Sequence, residues 1–401
     1  MIGQPLRVLI VSNWFPPIAS GSSFYAMSLA KTLTELGHKV CVVTIDWKLP
    51  DCEDASLPFQ VHRLPVMRLP KLPVFYNIEL IGRTFTSKNR YSLSKIIQDF
   101  KPDILHHVNH IFDMVYLTNW AGKKFQIPVV GSITTIVQHE TPLVQAVMSL
   151  ADKITLGVPG VQRWDGIISL DKNAHDYVTR IYGSGCSRRS QIIPFSIPLK
   201  SHTVYSNHLP LPPCPQILYA GHIHPFRNPS RLVEAMPLVL ERFPEARLVM
   251  VGRAFLQEPI EIAKRLGLTP DQVHFLGEIS HEELITLYKQ SYVFAAWMTG
   301  RFKSLGTAPM EAMLCEVPVV TDIPEDLFGQ ARLVNGQNIV LVNSLNPKSI
   351  ASGIIKILEN EKLRQTVGAN GRNFVLENLS WNAIAKQVVI FYQKVLDQSK
   401  R

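Results

Sequence analysis

RVLIVSNWFPPIASGSSFYAMSLAKTLTELGHKVCVVTI, residues 7–45, begins with a nearly continuous apolar run, as expected of a strand buried on both faces of a parallel sheet. A proline-containing loop follows. Tyr25, Leu29, Leu33 and Leu36 then recur at helical spacing, Gly37 closes the helix, and VCVVTI supplies a second strand. Strand-like runs return at Asp103–Val108, Ile127–Thr134 and Gly166–Leu170, so residues 1–195 read as an α/β domain with a parallel sheet. Residues 193–216 hold six prolines in twenty-four positions, which suits neither a helix nor a central strand; 196–215 is the expected linker. Beyond it QILYAGH, RLVMVG, VHFLG, YVFAAW and VPVVTD alternate with helical stretches, so 216–378 reads as a second doubly wound domain. The final stretch, within 379–401, places Ile384, Val388, Phe391, Tyr392 and Val395 on one face of an amphipathic helix.

A chain of 401 residues accommodates two such domains. Its 41 Lys and Arg against 32 Asp and Glu give a net charge of +9, which invites an anionic partner without identifying it. Eight of the cations (63, 68, 71, 83, 88, 90, 95, 101) fall between Leu57 and Lys101 against Glu79 and Asp99. Interleaved with Phe75, Tyr76, Ile78, Leu80, Ile81 and Phe85, they suit an anionic membrane surface, and equally a solvated basic face over a core helix. No nucleic-acid recognition motif is present, so nucleic acid is not the expected partner. Five scattered cysteines without a CxxC pair support neither a disulfide framework nor a cysteine zinc site. With no long apolar run, the expectation is a cytoplasmic protein, peripheral at most on the inner face of a membrane.

Ligands of doubly wound folds bind beyond the carboxyl ends of the strands, so chemistry is expected in three loops. In Phe15–Ser22, small residues before a helix bring backbone amides close to an anion, or form a tight turn capped by Ser22 or Ser23. In Gly221–Pro229, Arg227 is the better cation for a diphosphate because its fork makes bidentate contacts; His222 serves fully only when protonated. A His222–His224 metal pair lacks a third ligand. In Thr299–Glu311, free amides around Leu305–Thr307 at a helix start face an anion, with Pro309 tolerated there. Glu311, read as a first-turn residue, accepts from a vicinal diol or simply answers the helix dipole. His106 and His107 must point to opposite faces, so with His110 they make no three-histidine site; a solvated or cleft-lining role for one of them is expected. Asp51 to Asp54 reads as a solvated acidic loop.

Taken in order, GHIHPFRN, EARLVMVG, VHFLGEISHEELITLYKQSYVF and KSLGTAPMEAMLCEVPVV resemble the C-terminal half of the family 4 retaining glycosyltransferases. NWFPPIASGSS with LAKTLTELGHKVCVVT resembles their acceptor-domain opening, and SWNAIAKQVVIFYQKVL their terminal helix, which crosses back to the first domain. The resemblance implies a GT-B fold, two Rossmann-like domains facing a central cleft, and metal-independent transfer of a sugar from a nucleotide-diphosphate sugar, UDP- or GDP-linked. The acceptor would be a polysaccharide, lipid-linked or other glycan. It assigns Arg227 and His222 to the diphosphate, Glu311 to the ribose, the Gly221 turn and the Leu305, Gly306 and Thr307 amides to the donor, and Gly21 and Ser22 to the glycine loop near it.

Three departures bear on the sugar subsite. The first glutamate of the family's E-x7-E pair is Lys303, which faces the donor in its place. The expected histidine after IPVV is Thr134, with Thr135 beside it and His139 five residues on. The N-G of the family's I-P-N-G turn is Phe195-Ser196. An ammonium at Lys303 fits a uronic or other acidic sugar; a hexosyl donor is the other case. Alternatively, these losses imply a catalytically degenerate nucleotide-sugar-binding or regulatory subunit.

Overall fold

The computed structural model describes residues 4–50, 54–68, 82–137, 139, 141–196, 205, 209–224, 227–299 and 303–399. Two compact units emerge, one of residues 1–195 with 381–401, the other of 196–380.

The first unit is built on β1 (Arg7–Ser12), β2 (Lys39–Asp46), β3 (Gln60–Pro65), a short ribbon of β4 (Met67–Arg68) and β5 (Gly82–Arg83), β6 (Ile104–Val108), β7 (Val129–Ile133), β8 (Gly166–Ser169) and β9 (Ser190–Ile192). Its main sheet runs β3-β2-β1-β6-β7-β8-β9, every neighbouring pair parallel. The order reverses between β1 and β6, so the loops after these two strands part there and leave a crevice at the sheet edge. Helices α1 (Gly21–Glu35), α2 (Ser87–Phe100), α3 (Met114–Phe125), α4 (Pro142–Asp152), α5 (Lys172–Tyr182) and α6 (Ser184–Arg188) surround the sheet. β1, β6 and β7 are buried at nearly every position, which explains the nearly continuous apolar run of β1 and carries His106 and His107 of β6 into the interior.

In the second unit, β10 (Gln216–Ala220), β11 (Arg247–Val251), β12 (Val273–Gly277), β13 (Val293–Ala295), β14 (Val319–Thr321) and β15 (Val340–Leu341) form a parallel sheet of order β12-β11-β10-β13-β14-β15. Its reversal lies between β10 and β13. The helices are α7 (Ser230–Arg242), α8 (Glu258–Arg265), α9 (His281–Lys289), α10 (Thr307–Leu314), α11 (Pro347–Glu359) and α12 (Glu361–Asn378). Of the proline-rich segment, 197–204 and 206–208 lie outside the described residues. Tyr205 within it is buried in the second unit, and Tyr292 donates its hydroxyl to Pro212 O at 3.0 Å, so the segment contributes packing to that unit.

The last helix, α13 (Trp381–Ser399), returns to the first unit. Its Ile384, Val388, Phe391 and Tyr392 join Tyr25, Leu29 and Leu33 of α1 in one core over the sheet. Gly166 makes this approach possible, since a Cβ there would stand 2.8 Å from Val395 and 2.9 Å from Phe391. Beneath α13, Tyr392 and Ser132 flank the His106 ring. His107 faces the opposite core against Thr118 and Trp164. The two rings do point apart, but all three histidines are fully buried, so none is solvated. Burial pushes His106 and His107 down to about 3, and they are held neutral.

Candidate functional site

The residues expected to bind the donor gather on the second unit at the carboxyl edge, around its switch point. After β10 the chain turns at Gly221, whose φ of 151° favours glycine. The loop after β11 lies directly on it. Ile223 N donates to Arg253 O and Phe255 N to Ile223 O, both at 3.0 Å, and a Cβ on Gly252 would stand 2.2 Å from Gly221 O. This backbone-on-backbone packing fixes the platform from which Arg227 reaches back, its guanidinium 3.1 Å from the position of a Gly221 Cβ. His222 is exposed and packs edge-on against Phe255, centroids 5.4 Å apart, while the Arg253 guanidinium lies 5.1 Å from the same ring. Arg253 and Phe255 were not singled out by sequence, because they belong to a loop with no motif of its own. Pro225 and Phe226 lie outside the described residues.

After β13, the loop enters α10 at Gly306, the N-cap, which has no side chain to cap the first amides. Among the described residues a Cβ on Gly306 would meet only Pro309 Cδ, at 4.0 Å, so the space beside Gly306 is open. Uncapped N–H groups with a helix behind them attract an anion. Leu305 is buried and Thr307 exposed at this turn. Gly300 to Phe302 lie outside the described residues.

The helix begins at Thr307, which places Glu311 in its second turn and corrects the first-turn reading. The dipole no longer accounts for it there. Its carboxylate is instead held from α9: His281 Nε2 stands 2.9 Å from Oε1, and the Tyr288 hydroxyl donates to Oε2 at 3.3 Å. With one contact on each oxygen, lone pairs remain on both for a diol. Burial, with the Glu311 charge second, raises the Tyr288 phenol well above its ordinary value, so it stays a donor. α9 itself is started by a Ser280–Glu283 capping box, legible in SHEE; the contact to a residue thirty positions on was not.

Lys303 has a partner within the chain. Its ammonium sits 2.5 Å from Asp322 Oδ1, just past β14, and Asp322 Oδ2 accepts from Ser344 N at 3.0 Å and Ser344 Oγ at 2.7 Å. The charge is thus compensated internally, which removes the argument that it awaits an acidic sugar.

In the first unit, α1 is capped by Ser20, whose Oγ accepts from Ser23 N at 3.1 Å, not by Ser22 or Ser23. Gly21 and Ser22 are therefore the first helical residues, with open space beside Gly21. Ser22 Oγ lies 2.9 Å from Thr134 Oγ1 and accepts from Asn109 Nδ2 at 2.9 Å; the same amide reaches Thr135 Oγ1 at 3.2 Å. This hydroxyl–amide network spans the loops at the β1–β6 switch point and brings Ser22 to Thr134. No sequence motif marks Asn109. His139 is elsewhere engaged, its amide donating to Gln145 Oε1 and its Nδ1 accepting from Thr141 N. Of the basic segment, 69–81 lie outside the described residues. Arg63 forms an ion pair with Asp54, 2.6 Å, so neither is simply solvated, and Phe85 is partly buried against the core.

Residues 209–374 match the family model described as Glycosyl transferases group 1, and 19–200 that described as Glycosyltransferase Family 4. An uncharacterized glycosyltransferase of Methanocaldococcus jannaschii is 24% identical over 99% of this chain and 100% of its own length. The phosphatidyl-myo-inositol mannosyltransferase of Mycobacterium leprae is 23% identical, over 97% of each chain. The structure of Anabaena Alr3699/HepE in complex with UDP superposes with a TM-score of 0.68 at 15% identity, covering 97% of this chain and 100% of that one.

Proposed function

We propose that this chain, which belongs to the group 1 glycosyltransferases of GT-B fold, binds a nucleotide-diphosphate sugar on its second unit and transfers the sugar with retention at the anomeric carbon. The supporting observation is the clustering of Arg227, the uncapped α10 start and the pre-oriented Glu311 around one switch point. The diphosphate meets the Arg227 guanidinium and the Leu305–Thr307 amides, with the Gly221 turn leaving room for the approach and His222 adding charge when protonated. Glu311, oriented by His281 and Tyr288, takes the ribose hydroxyls. As the glycosidic bond breaks, negative charge grows on the leaving diphosphate, and the fixed cation and helix amides stabilise it without a metal.

The donor is a UDP- or GDP-linked hexose, because the Lys303 charge is already matched by Asp322 and is not left over for a uronic acid. HepE binds UDP, and the mannosyltransferase relative is named for a lipid acceptor. A lipid-linked glycan or glycolipid is accordingly the acceptor class, with the exposed cations of residues 83–101 turned to an anionic membrane surface.

Two observations favour a second reading. Thr134 stands where the family has a histidine and is bonded to Ser22, and the sugar-facing glutamate is a tied lysine. Such a site suits a nucleotide-sugar-binding subunit that partners an active enzyme. Incubation with UDP-, GDP- and ADP-sugars and assay of released nucleotide separates the two. Turnover with one donor that collapses in Glu311→Ala supports the transferase; no turnover with any donor, with nucleotide affinity retained, supports the subunit.

A further inference from the structure

α4 is turned the wrong way round for a helix on a water-facing surface. Its polar residues Gln145, Ser149 and Asp152, spaced by four and three, look inward. Gln145 Oε1 accepts from His139 N at 2.6 Å while its amide donates to Ser149 Oγ at 2.9 Å and Val137 O at 3.2 Å. Asp152 is buried and accepts the hydroxyl hydrogens of Tyr177 and Tyr182. The opposite face carries Leu143, Val147, Leu150 and Ile154, which are 75%, 61%, 59% and 60% exposed, with Val144 and Val158 beside them. These six are among the sixteen exposed large apolar side chains of the described residues, so they form a stripe rather than scatter. Between Pro142 and Ala151 there is no charged residue, and the stripe runs on through the π-helical turn Lys153–Gly157.

We infer that this stripe is an apolar anchor that inserts into the interface of an anionic lipid bilayer. An outward apolar face needs an apolar partner, and the neighbouring helices say which kind. Tyr116 of α3 donates its hydroxyl to Thr155 O in the turn that continues α4, so α3 adjoins the stripe. α3 carries exposed Lys123 and Lys124, and α2, packed against it, exposes Lys88 and Lys95 with Asp99 its one acid. Tyr91, 62% exposed, lies under Lys95 at 4.8 Å, and Lys124 stands 4.9 Å from the Trp120 ring. Uncharged apolar side chains next to cations and amphipathic aromatics match hydrocarbon next to anionic headgroups. A second copy of the chain would set these cations against each other, which disfavours self-association through the same face.

This anchor rests on the membrane part of the proposed function but not on donor chemistry. The test is co-sedimentation with vesicles of phosphatidylcholine and phosphatidylglycerol (7:3) and of phosphatidylcholine alone. The full chain should bind the mixed vesicles, and the triple variant Val147→Ser, Leu150→Ser, Ile154→Ser should lose about 1000-fold or more in partitioning, since each of these side chains contributes more than a factor of ten when buried. Nucleotide release from the donor should be unchanged in that variant. Leu150→Trp provides a second readout: acyl-chain bromination should quench its added fluorescence. Equal partitioning of wild type and triple variant, added indole fluorescence in Leu150→Trp that bromination leaves unquenched, or a wild-type dimer that the substitutions split would each overturn the anchor. A failure of nucleotide release with vesicle binding intact would instead count against the transferase reading alone.

Discussion

Removing the Asp322 carboxylate should destabilise the second unit in two separable steps. Asp322 Oδ1 holds Lys303 at 2.5 Å, and Oδ2 accepts from both the amide and hydroxyl of Ser344, which is 1% exposed. Asp322→Asn keeps an oxygen for Ser344 and loses the ion pair. The Lys303 side chain is 38% exposed, so solvent screens that pair and the loss should be about 1 kcal/mol or less. Asp322→Ala additionally strands two buried donors at about 1–3 kcal/mol each, for a total of roughly 2–7 kcal/mol. For a unit of this size that corresponds to a fall of about 4–28 °C in the second unit's Tm. Burial alone would raise the Asp322 pKa, but hydrogen bonds from Lys303 and Ser344 outweigh it and the net shift is downward. A depressed folded pKa adds stability that is complete above the unfolded value near 3.9 and is lost as pH falls through the folded one. The gap between wild type and Asp322→Asn should therefore persist at pH 5 and narrow only once the pH falls below the unfolded value in denaturation curves. Equal losses for the Asn and Ala variants, or a Lys303–Asp322 coupling of zero in a double-mutant cycle, would refute this reasoning.

Other consequences are more local. His281→Ala should free the Glu311 carboxylate and weaken nucleotide affinity about 5–10-fold by calorimetry, with Tyr288→Phe milder because its bond is 3.3 Å long. An unchanged affinity in His281→Ala would mean that Glu311 needs no positioning. Gly252→Ala should cost about 3 kcal/mol or more, since its Cβ would collide with Gly221 O at 2.2 Å in a left-handed backbone region; a soluble variant with wild-type Tm would show that the two loops are not packed this way. Buried His106 and His107 titrate near 3 when folded and near 6.5 when unfolded, so the unfolded chain binds more protons between these values. The first unit's unfolding free energy should fall as pH drops below about 6.5, and His106→Gln should flatten that slope.

The fold was legible because its strands are buried on both faces: RVLIVS and QILYA each hold four consecutive apolar residues, ILHHV interrupts its apolar residues only with two histidines, and the alternation with helices leaves few topologies. Helix starts were less legible. Ser20 rather than Ser22 or Ser23 caps α1, and α10 starts at Thr307, because the choice among adjacent small residues depends on loop geometry. Candidate site residues inside motifs, such as Arg227 and Glu311, could be proposed one by one. Their partners could not: His281 and Tyr288 reach Glu311, Asp322 reaches Lys303 and Asn109 reaches Ser22 across many residues, by contacts that only the fold creates. The α4 stripe shows the same limit in another form. Periodicity finds an amphipathic helix there, but it cannot say which face the domain keeps.

The most direct test of the donor site compares a ribonucleoside diphosphate with its 2′-deoxy counterpart on wild type and Glu311→Ala by titration calorimetry. If Glu311 receives the ribose hydroxyls, wild type binds UDP or GDP about 10-fold or more tightly than the deoxy form, and Glu311→Ala binds the two equally and weakly. Wild-type indifference to the 2′-hydroxyl, or discrimination that survives in Glu311→Ala, would contradict the account.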